Sequence, residues 1–251
     1  MIKFFRNIRQ NLIMENSNTG KYFKYAIGEI ILVVIGILIA LQINNWNEYR
    51  KANIEENAIL KSLYENLKLA KQQSEDLIID ERELKQNLIS MLVINSDTIE
   101  IKKSKVPDSI FKKAVWDLQS DLPIVNAYFN LKNTNKLSLI SNKNINEKFT
   151  NFEFRLNKLN AGLEDRLSVH QIRIDDILEK DINFVLLVKS SIPNLNTENE
   201  IADNYGKILN NKRIRNLLAM KLDLTQDVIN YRLALDKEIE DLISLIDADI
   251  N

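Results

Sequence analysis

Residues 26–47 read AIGEIILVVIGILIALQINNWN, and the rest of the chain is organised around this stretch. Its first 18 residues contain one charged side chain, Glu29, and twelve Ile, Leu or Val side chains. At about 1.5 Å per residue, a helix of this length nearly spans the roughly 30 Å hydrocarbon layer of a bilayer. The stretch therefore predicts a single transmembrane helix over residues 26–45.

The charged residues before the predicted span indicate which end of the helix lies in the cytoplasm. Residues 1–25 carry a net charge of +4, whereas the flank that follows the span is mixed in sign. Cytoplasmic flanks of membrane helices carry an excess of Lys and Arg. The sequence therefore predicts a signal anchor, with a cytoplasmic tail at residues 1–25 and a domain at residues 46–251 on the other side of the membrane. The basic residues that set this orientation are Lys3, Arg6, Arg9, Lys21 and Lys24.

The tail and the ends of the span carry residues that suit a membrane surface. Residues 1–14 place apolar and basic side chains at helical spacing, which is typical of an amphipathic helix on an anionic membrane face. Tyr22, Tyr25 and Trp46 lie at the two ends of the span, where aromatic side chains favour the headgroup region. We expect these three residues to act as interfacial anchors.

A cleaved signal peptide is the alternative interpretation of the same stretch. The apolar region of such a peptide has about 7–15 residues and ends at a small-x-small cleavage site. Here the apolar run is longer, and residues 40–42, Ala-Leu-Gln, do not have that pattern. The sequence therefore favours an uncleaved anchor.

One face of the predicted span combines a carboxylate with small side chains. The predicted packing residues are Gly28, Glu29, Val33, Gly36 and Ala40. Small side chains along one stripe allow a second helix to approach closely. A carboxylate at the bilayer centre costs about 2.5–3.5 kcal/mol, which twelve aliphatic side chains at about −0.3 to −0.6 kcal/mol each outweigh. Glu29 either lies near the cytoplasmic face, against headgroups or a neighbouring helix, or lines a proton or ion path in an oligomer.

Composition excludes several classes of function. The chain has no Cys and one His, which removes thiol chemistry, disulfides and His- or Cys-rich metal sites. Residues 30–251 carry a net charge of −4, which argues against a nucleic-acid partner because such proteins need a clustered basic face. Only five Gly and three Pro occur, so we expect an all-α fold. A carboxylate-only Ca²⁺ or Mg²⁺ site stays open, although no loop has the acidic spacing of such sites.

Beyond the span, the apolar pattern predicts an elongated antiparallel bundle of long helices. The first long helix, from about residue 46 to 94, has a leucine seam in which Ser74 and Glu81 occupy the same positions as leucines. A polar connection follows at residues 95–105. The later helices are predicted at about residues 107–119, 123–136, 145–189 and 207–248, with a possible restart near Thr197.

Three features of the bundle admit a functional or a structural interpretation. His170 lies on an apolar seam without a His or Cys partner, which favours a core histidine over a ligand or a catalytic group. Asp175, Asp176, Glu179 and Asp181 form an acidic stretch, which basic residues interrupt as on a solvated helix face; a metal site is the alternative. Phe111 and Trp116 are expected in the core rather than on a binding surface.

The residues around the span also resemble a family signature. YAIGEI at residues 25–30 and GILIALQINNWNE at residues 36–48 are similar to the signature of single-span Bacteroidota membrane proteins known only as a domain of unknown function. MIKFFRNIRQ and residues 127–140 also resemble that family, so the resemblance covers most of the chain, most closely over residues 1–50. It implies an inner-membrane protein that faces the periplasm, and it carries over no active-site residue.

These features predict a membrane-anchored, non-enzymatic helical protein. We expect a scaffold or interaction subunit that forms a homo-oligomer, or binds another membrane or periplasmic protein, through its span and its bundle. No catalytic, cofactor-binding or metal-binding residue is predicted. The alternative is an energy-coupling or ion-pathway subunit that uses Glu29 within the membrane.

Overall fold

The structure, a computed structural model, describes residues 19–93, 107–189 and 191–250. Its α-helices are α1 (Thr19–Val93), α2 (Asp108–Val115), α3 (Asn126–Asn133), α4 (Lys143–Val169), α5 (Asp175–Lys180), α6 (Phe184–Val188), α7 (Tyr205–Leu209) and α8 (Lys212–Ile250). A 3₁₀ turn, Lys136–Leu139, lies between α3 and α4, and a π-helical turn, His170–Ile174, joins α4 to α5. The predicted all-α class is confirmed.

Two predicted features lie outside the described residues. They are the amphipathic helix at residues 1–14, with Lys3, Arg6 and Arg9, and the polar connection at residues 95–105.

The chain divides into two compact units, Met1–Glu55 and Glu56–Asn251. In the first unit the described residues belong to α1, and the side chains from Tyr22 to Trp46 are all exposed. This part of α1 is long and apolar enough to cross a membrane, a property that a signal sequence near the N-terminus shares. The helices predicted at residues 26–45 and 46–94 are assigned as one helix, α1.

The second unit is built on three long segments: α1 from residue 56 onward, α4 and α8. The predicted leucine seam of α1 is confirmed, because its seam positions from Leu60 to Leu88 are buried. Two apolar clusters result. Core A includes Leu63, Leu67, Phe152, Leu159, Val228, Leu235 and Leu242, and core B includes Leu84, Leu88, Met91, Ile177, Leu187, Leu217 and Leu218. Full burial of one such side chain stabilises the fold by about 1.5–3 kcal/mol.

Polar contacts join α8 to the other two long segments. Lys71 on α1 donates to Asp236 at 2.7 Å, and Lys85 donates to Gln226 at 2.6 Å. Lys148 on α4 donates to Asp241 at 2.6 Å. These half-buried contacts flank the apolar seams and fix how the three segments face each other.

The helix predicted at residues 145–189 was too long. It begins two residues earlier, at Lys143, but α5 ends at Lys180 and a separate short helix follows at Phe184–Val188. A side chain from later in the chain accounts for the break, because the backbone N–H of Asn183 donates to the Asp203 carboxylate at 2.6 Å. That bond holds the amide away from the helical hydrogen-bond ladder.

The helices predicted on either side of Pro123 are also shorter than expected. The first ends at Val115 rather than at residue 119, and the second begins at Asn126 rather than at Pro123. Between them residues 116–125 form a non-helical segment, which we call the strap. Near its end the backbone N–H of Ile124 donates to Gln73 on α1 at 2.9 Å. A helical start at Pro123 is therefore replaced by a contact with the long helix.

The last predicted helix, residues 207–248, is two helices, α7 and α8. They are separated at Asn210 and Asn211, and the Asn211 side chain accepts from the backbone N–H of Arg213 at 2.9 Å. Asn commonly caps a helix N-terminus in this way. The predicted restart near Thr197 was wrong, since residues 197–203 are not helical.

Candidate functional site

A buried polar layer lies between core A and core B on all three long segments. On α1 its residues fall between the stretches that supply the two cores, and α4 ends in it. On α8, Lys221 and Thr225 lie between those stretches, whereas Arg232 lies among residues of core A. The members of the polar layer are Ser74, Glu81, Arg166, His170, Lys221, Thr225 and Arg232. Charged residues are rarely buried to this degree unless they are paired. The polar layer is therefore the strongest candidate for a function within the bundle.

Glu81 is the central anion of the polar layer. Its side chain is fully buried, and Arg166 donates to both of its oxygens, with Nη1 at 2.5 Å from Oε2 and Nη2 at 2.8 Å from Oε1. Arg232 Nε donates to the same Oε1 at 3.3 Å. Two-point pairing of a guanidinium with a carboxylate is a strong and directional interaction. One carboxylate on α1 thus binds a cation from α4 and a cation from α8.

The three buried cations also hold the strap and the end of α2. Lys221 Nζ donates to the backbone carbonyls of Ala114 at 3.0 Å, Val115 at 2.9 Å and Asp117 at 2.8 Å. The last carbonyls of a helix have no helical donor and carry partial negative charge. An ammonium at this position satisfies three acceptors at once, which explains why α2 ends here.

Two further bonds run from the polar layer to the strap. Arg166 Nη2 donates to the carbonyl of Gln119, and Arg232 Nη1 donates to the carbonyl of Asp121 at 3.0 Å. Three side chains of α4 and α8 therefore bind the segment from residue 114 to 121 by donating hydrogen bonds to five of its backbone carbonyls.

Burial shifts the titration of the polar layer. Burial together with the neighbouring Arg166 lowers the pKa of Lys221 to about 7. Burial, together with Lys221 and Arg166, lowers the pKa of His170 to about 4. Burial likewise lowers the pKa of Arg232. The largest cause of all three shifts is burial, which disfavours the charged form, and the charge of Arg166 adds to the effect at each group.

Some polar atoms of the layer have no hydrogen-bond partner among the residues that the structure describes. They are Arg166 Nε, Arg232 Nη2 and His170 Nδ1. His170 Nε2 lies 3.4 Å from a carboxylate oxygen of Asp175, and its ring meets the Trp116 ring edge-on at 6.1 Å between centroids. The prediction that His170 lies in the core is confirmed.

In the acidic stretch at residues 175–181, Asp176 forms two surface ion pairs. Asp176 binds Lys180 and also Arg213, whose Nη2 lies at 2.7 Å. Within residues 19–93, 107–189 and 191–250, no three His, Asp or Glu side chains are grouped in a way that could hold a metal ion.

A shallow groove of about 350 Å³ lies between α1 and the segment around Trp116. Asp80, Glu83 and Lys113 are among its lining residues, and Lys113 pairs with Glu83 at 2.5 Å. The prediction that Trp116 is a core residue was wrong, because 41% of its surface is exposed. Trp116 lies at the start of the strap, and its ring centroid is 4.9 Å from that of Phe184. Phe111 is buried as predicted.

The predicted membrane-facing residues lie on α1, and their proposed roles stay predictions. Tyr22, Tyr25 and Trp46 are exposed, and Arg50 lies 6.0 Å from the Trp46 ring. A Cβ added at Gly28 or Gly36 would meet nothing within 4 Å. The remaining residues of the predicted packing face and of the basic flank that lie on α1 are Lys21, Lys24, Glu29, Val33 and Ala40.

The charged members of the polar layer were missed at the sequence level, apart from Glu81 and His170. A usable signal was present, since Arg166 follows the buried Leu163 by three residues and Lys221 follows the buried Leu217 by four. Those spacings place both residues on apolar helix faces. Because Arg and Lys side chains are mostly exposed in proteins, their positions alone favour a solvated face.

Comparison with known proteins shows that part of the chain is similar to a protein family. Residues 29–115 match the model of DUF6090, a family of unknown function. The match begins in the apolar part of α1 and ends with α2, so it includes Glu81 and the carbonyls of Ala114 and Val115 that Lys221 binds. No curated protein and no solved structure matches the chain. The match shows a similarity over those residues and assigns no chemistry.

Proposed function

We propose that this chain is a non-enzymatic, single-span protein of the inner membrane that works as a scaffold or interaction subunit by self-association. In this proposal the N-terminus lies in the cytoplasm and the helical bundle lies in the periplasm. The observation that carries the proposal is the apolar surface of α1 in the first unit, where every side chain from Tyr22 to Trp46 is exposed.

That surface needs an apolar environment. The Ile, Leu and Val side chains from Ile27 to Ile43 are 44–64% exposed. A continuous apolar surface of this kind on a water-soluble protein favours aggregation, whereas hydrocarbon chains of a bilayer cover it without loss. The backbone of α1 satisfies its own hydrogen bonds, as a spanning segment must.

Self-association is supported by the glycines of the same helix. Neither Gly28 nor Gly36 is required by packing within the chain, because an added Cβ would have open space around it at both positions. Small residues on a membrane helix let a second helix approach closely. The proposed occupant of that face is α1 of a second copy.

The orientation is testable by thiol labelling, because the chain has no native Cys. We expect Asn157→Cys, at an exposed position on α4, to react with a membrane-impermeant maleimide in cells with a permeabilised outer membrane. Asn7→Cys in the tail should react only after the inner membrane is lysed. The reverse labelling pattern would contradict the orientation, and a bundle released into the soluble fraction would contradict the uncleaved anchor.

The self-association is testable by one substitution in α1. Gly36→Leu adds bulk to the proposed contact face, so we expect it to weaken the oligomer on the order of tenfold in dissociation constant. Light scattering coupled to size exclusion, over a series of protein-to-detergent ratios, measures the change. Val34→Leu adds bulk to the opposite side of the same helix turn and is the matched control, expected to have no effect. A wild-type protein that is monomeric at every ratio would refute self-association through the span.

A further inference from the structure

We propose that the groove between α1 and the segment around Trp116 binds a linear aliphatic diamine, which is a dication at neutral pH. The groove has a volume of about 350 Å³ and combines an exposed indole ring with an excess of carboxylates. Two ammonium groups joined by a short alkyl chain match both properties. This inference depends on the bundle alone, and not on the proposed membrane placement or self-association.

The charge of the groove favours a dication as its occupant. Among the described residues that line it, Asp80, Glu83 and Asp117 supply three carboxylates, and Lys113 supplies the one ammonium. Lys113 pairs with Glu83 at 2.5 Å, whereas Asp80 accepts from the neutral side-chain amide of Gln119 at 3.3 Å. Three carboxylates and one ammonium give the lining a net charge of −2, which the two ammonium groups of a diamine balance.

Trp116 gives the groove an aromatic wall. Its ring centroid lies 4.9 Å from that of Phe184 and 6.1 Å from that of His170, yet 41% of the residue is exposed. The ring is therefore supported from within the bundle and still open to solvent. Trp is the aromatic side chain that attracts cations most strongly. Leu84 and Leu118 add apolar atoms to the lining, which suit the methylene chain between two ammonium groups.

The buried polar layer fixes the strap side of the groove from behind. The backbone carbonyl of Asp117 accepts from Lys221 at 2.8 Å, and the carbonyl of Gln119 accepts from Arg166. Both donors are buried, whereas the Asp117 side chain is exposed. The backbone of this wall is thus held before any ligand enters, which lowers the entropic cost of binding. In this proposal the polar layer positions the groove and does not itself touch the diamine.

The exposure of the groove limits the affinity. Asp80, Asp117 and Trp116 are all exposed, so water and salt screen their attraction for a cation. We therefore expect a dissociation constant on the order of 1 mM for a five-carbon diamine at low salt. Each exposed ion pair should contribute about three- to fivefold to that affinity.

The NMR signal of the Trp116 indole N–H tests the proposal. The chain has two Trp, so Trp46→Phe in the full chain, in detergent micelles, leaves this signal alone. The probe is cadaverine, added at constant ionic strength, and we expect a saturable shift with a dissociation constant on the order of 1 mM. Pentylamine, a monocation of the same length, should bind about three- to fivefold more weakly, and neutral pentanediol should cause no saturable shift.

Substitutions of single carboxylates separate binding in the groove from general attraction of cations. In the same Trp46→Phe background, Asp117→Asn keeps the side-chain size and should weaken cadaverine binding about three- to fivefold. Asp223→Asn makes the same change of charge at an exposed position on α8 outside the lining, and this matched control should change the affinity less than about twofold.

Three results would overturn the proposal. One is an indole shift that rises linearly with cadaverine or is absent, and another is an equal loss of affinity in Asp117→Asn and Asp223→Asn. The third is tighter binding of acetyl-lysine amide than of cadaverine, which would assign the groove to a basic side chain of a protein partner instead.

Discussion

Glu81→Ala is expected to lower the free energy of unfolding of the bundle by about 3–5 kcal/mol. Removal of this carboxylate leaves the guanidinium groups of Arg166 and Arg232 buried without the anion that both of them bind. An uncompensated buried charge is far more costly than a missing surface pair, because water cannot reach it. Urea unfolding followed by circular dichroism in detergent micelles measures the change.

Glu83 offers a matched control for this prediction on the same helix. It pairs with Lys113 at 2.5 Å, but both side chains are about half exposed. Glu83→Ala is therefore expected to cost at most about 1 kcal/mol. If the two alanine variants unfold at the same urea concentration, Glu81 does not anchor the polar layer as described.

A second test replaces Glu81 and the two arginines that bind it. Glu81→Leu combined with Arg166→Met and Arg232→Met removes the carboxylate together with both guanidinium groups that it binds, and such replacements are often neutral or stabilising. Here we expect the triple variant to recover part of the loss only, because the carbonyls of Gln119 and Asp121 lose their donors. A triple variant less stable than Glu81→Ala would contradict this account.

His170 is expected to make the bundle lose stability in weak acid. Burial, with Lys221 and Arg166 nearby, lowers its pKa from 6.5 to about 4 in the folded chain. Between these values the unfolded chain binds the proton and the folded chain does not, so stability is full above pH 6.5 and falls as the pH drops toward 4. The loss at pH 4 is roughly 3 kcal/mol at most.

Because the chain contains one His, a single substitution isolates this effect. His170→Gln should remove the loss between pH 6.5 and pH 4 that the wild type shows beyond the titration of its carboxylates. The measurement is the difference in urea midpoint between the two proteins at each pH. A difference that stays constant from pH 7 to pH 4 would show that His170 remains neutral for another reason or titrates equally in both states.

Much of the fold could be predicted from the sequence because long apolar periodicity is a strong signal. The seam that begins at Leu60 and the all-α class were both predicted correctly. The errors lie where side chains capture backbone groups, as Asp203 does at Asn183 and Gln73 does at Ile124. Those contacts join residues far apart in the chain, so a local pattern contains no trace of them.

The candidate site could be predicted only in part. Glu81 and His170 were recognised as polar residues in apolar seams, whereas Arg166, Lys221 and Arg232 were not. Their burial depends on partners from three helices, and the partners of Lys221 are backbone carbonyls that sequence does not identify. Trp116 was misassigned for a related reason, since the strap that carries it was predicted to be helical.

The polar layer also restricts how the long helices align along their length. Leucine seams repeat about every seven residues, so two such helices could shift past each other by one repeat, about 10.5 Å, and still match leucine with leucine. A shift of that size would move Glu81 away from Arg166 and Arg232 and place all three against hydrocarbon side chains of core A or core B. The bundle therefore has one favoured axial alignment, selected by three charges rather than by its many leucines.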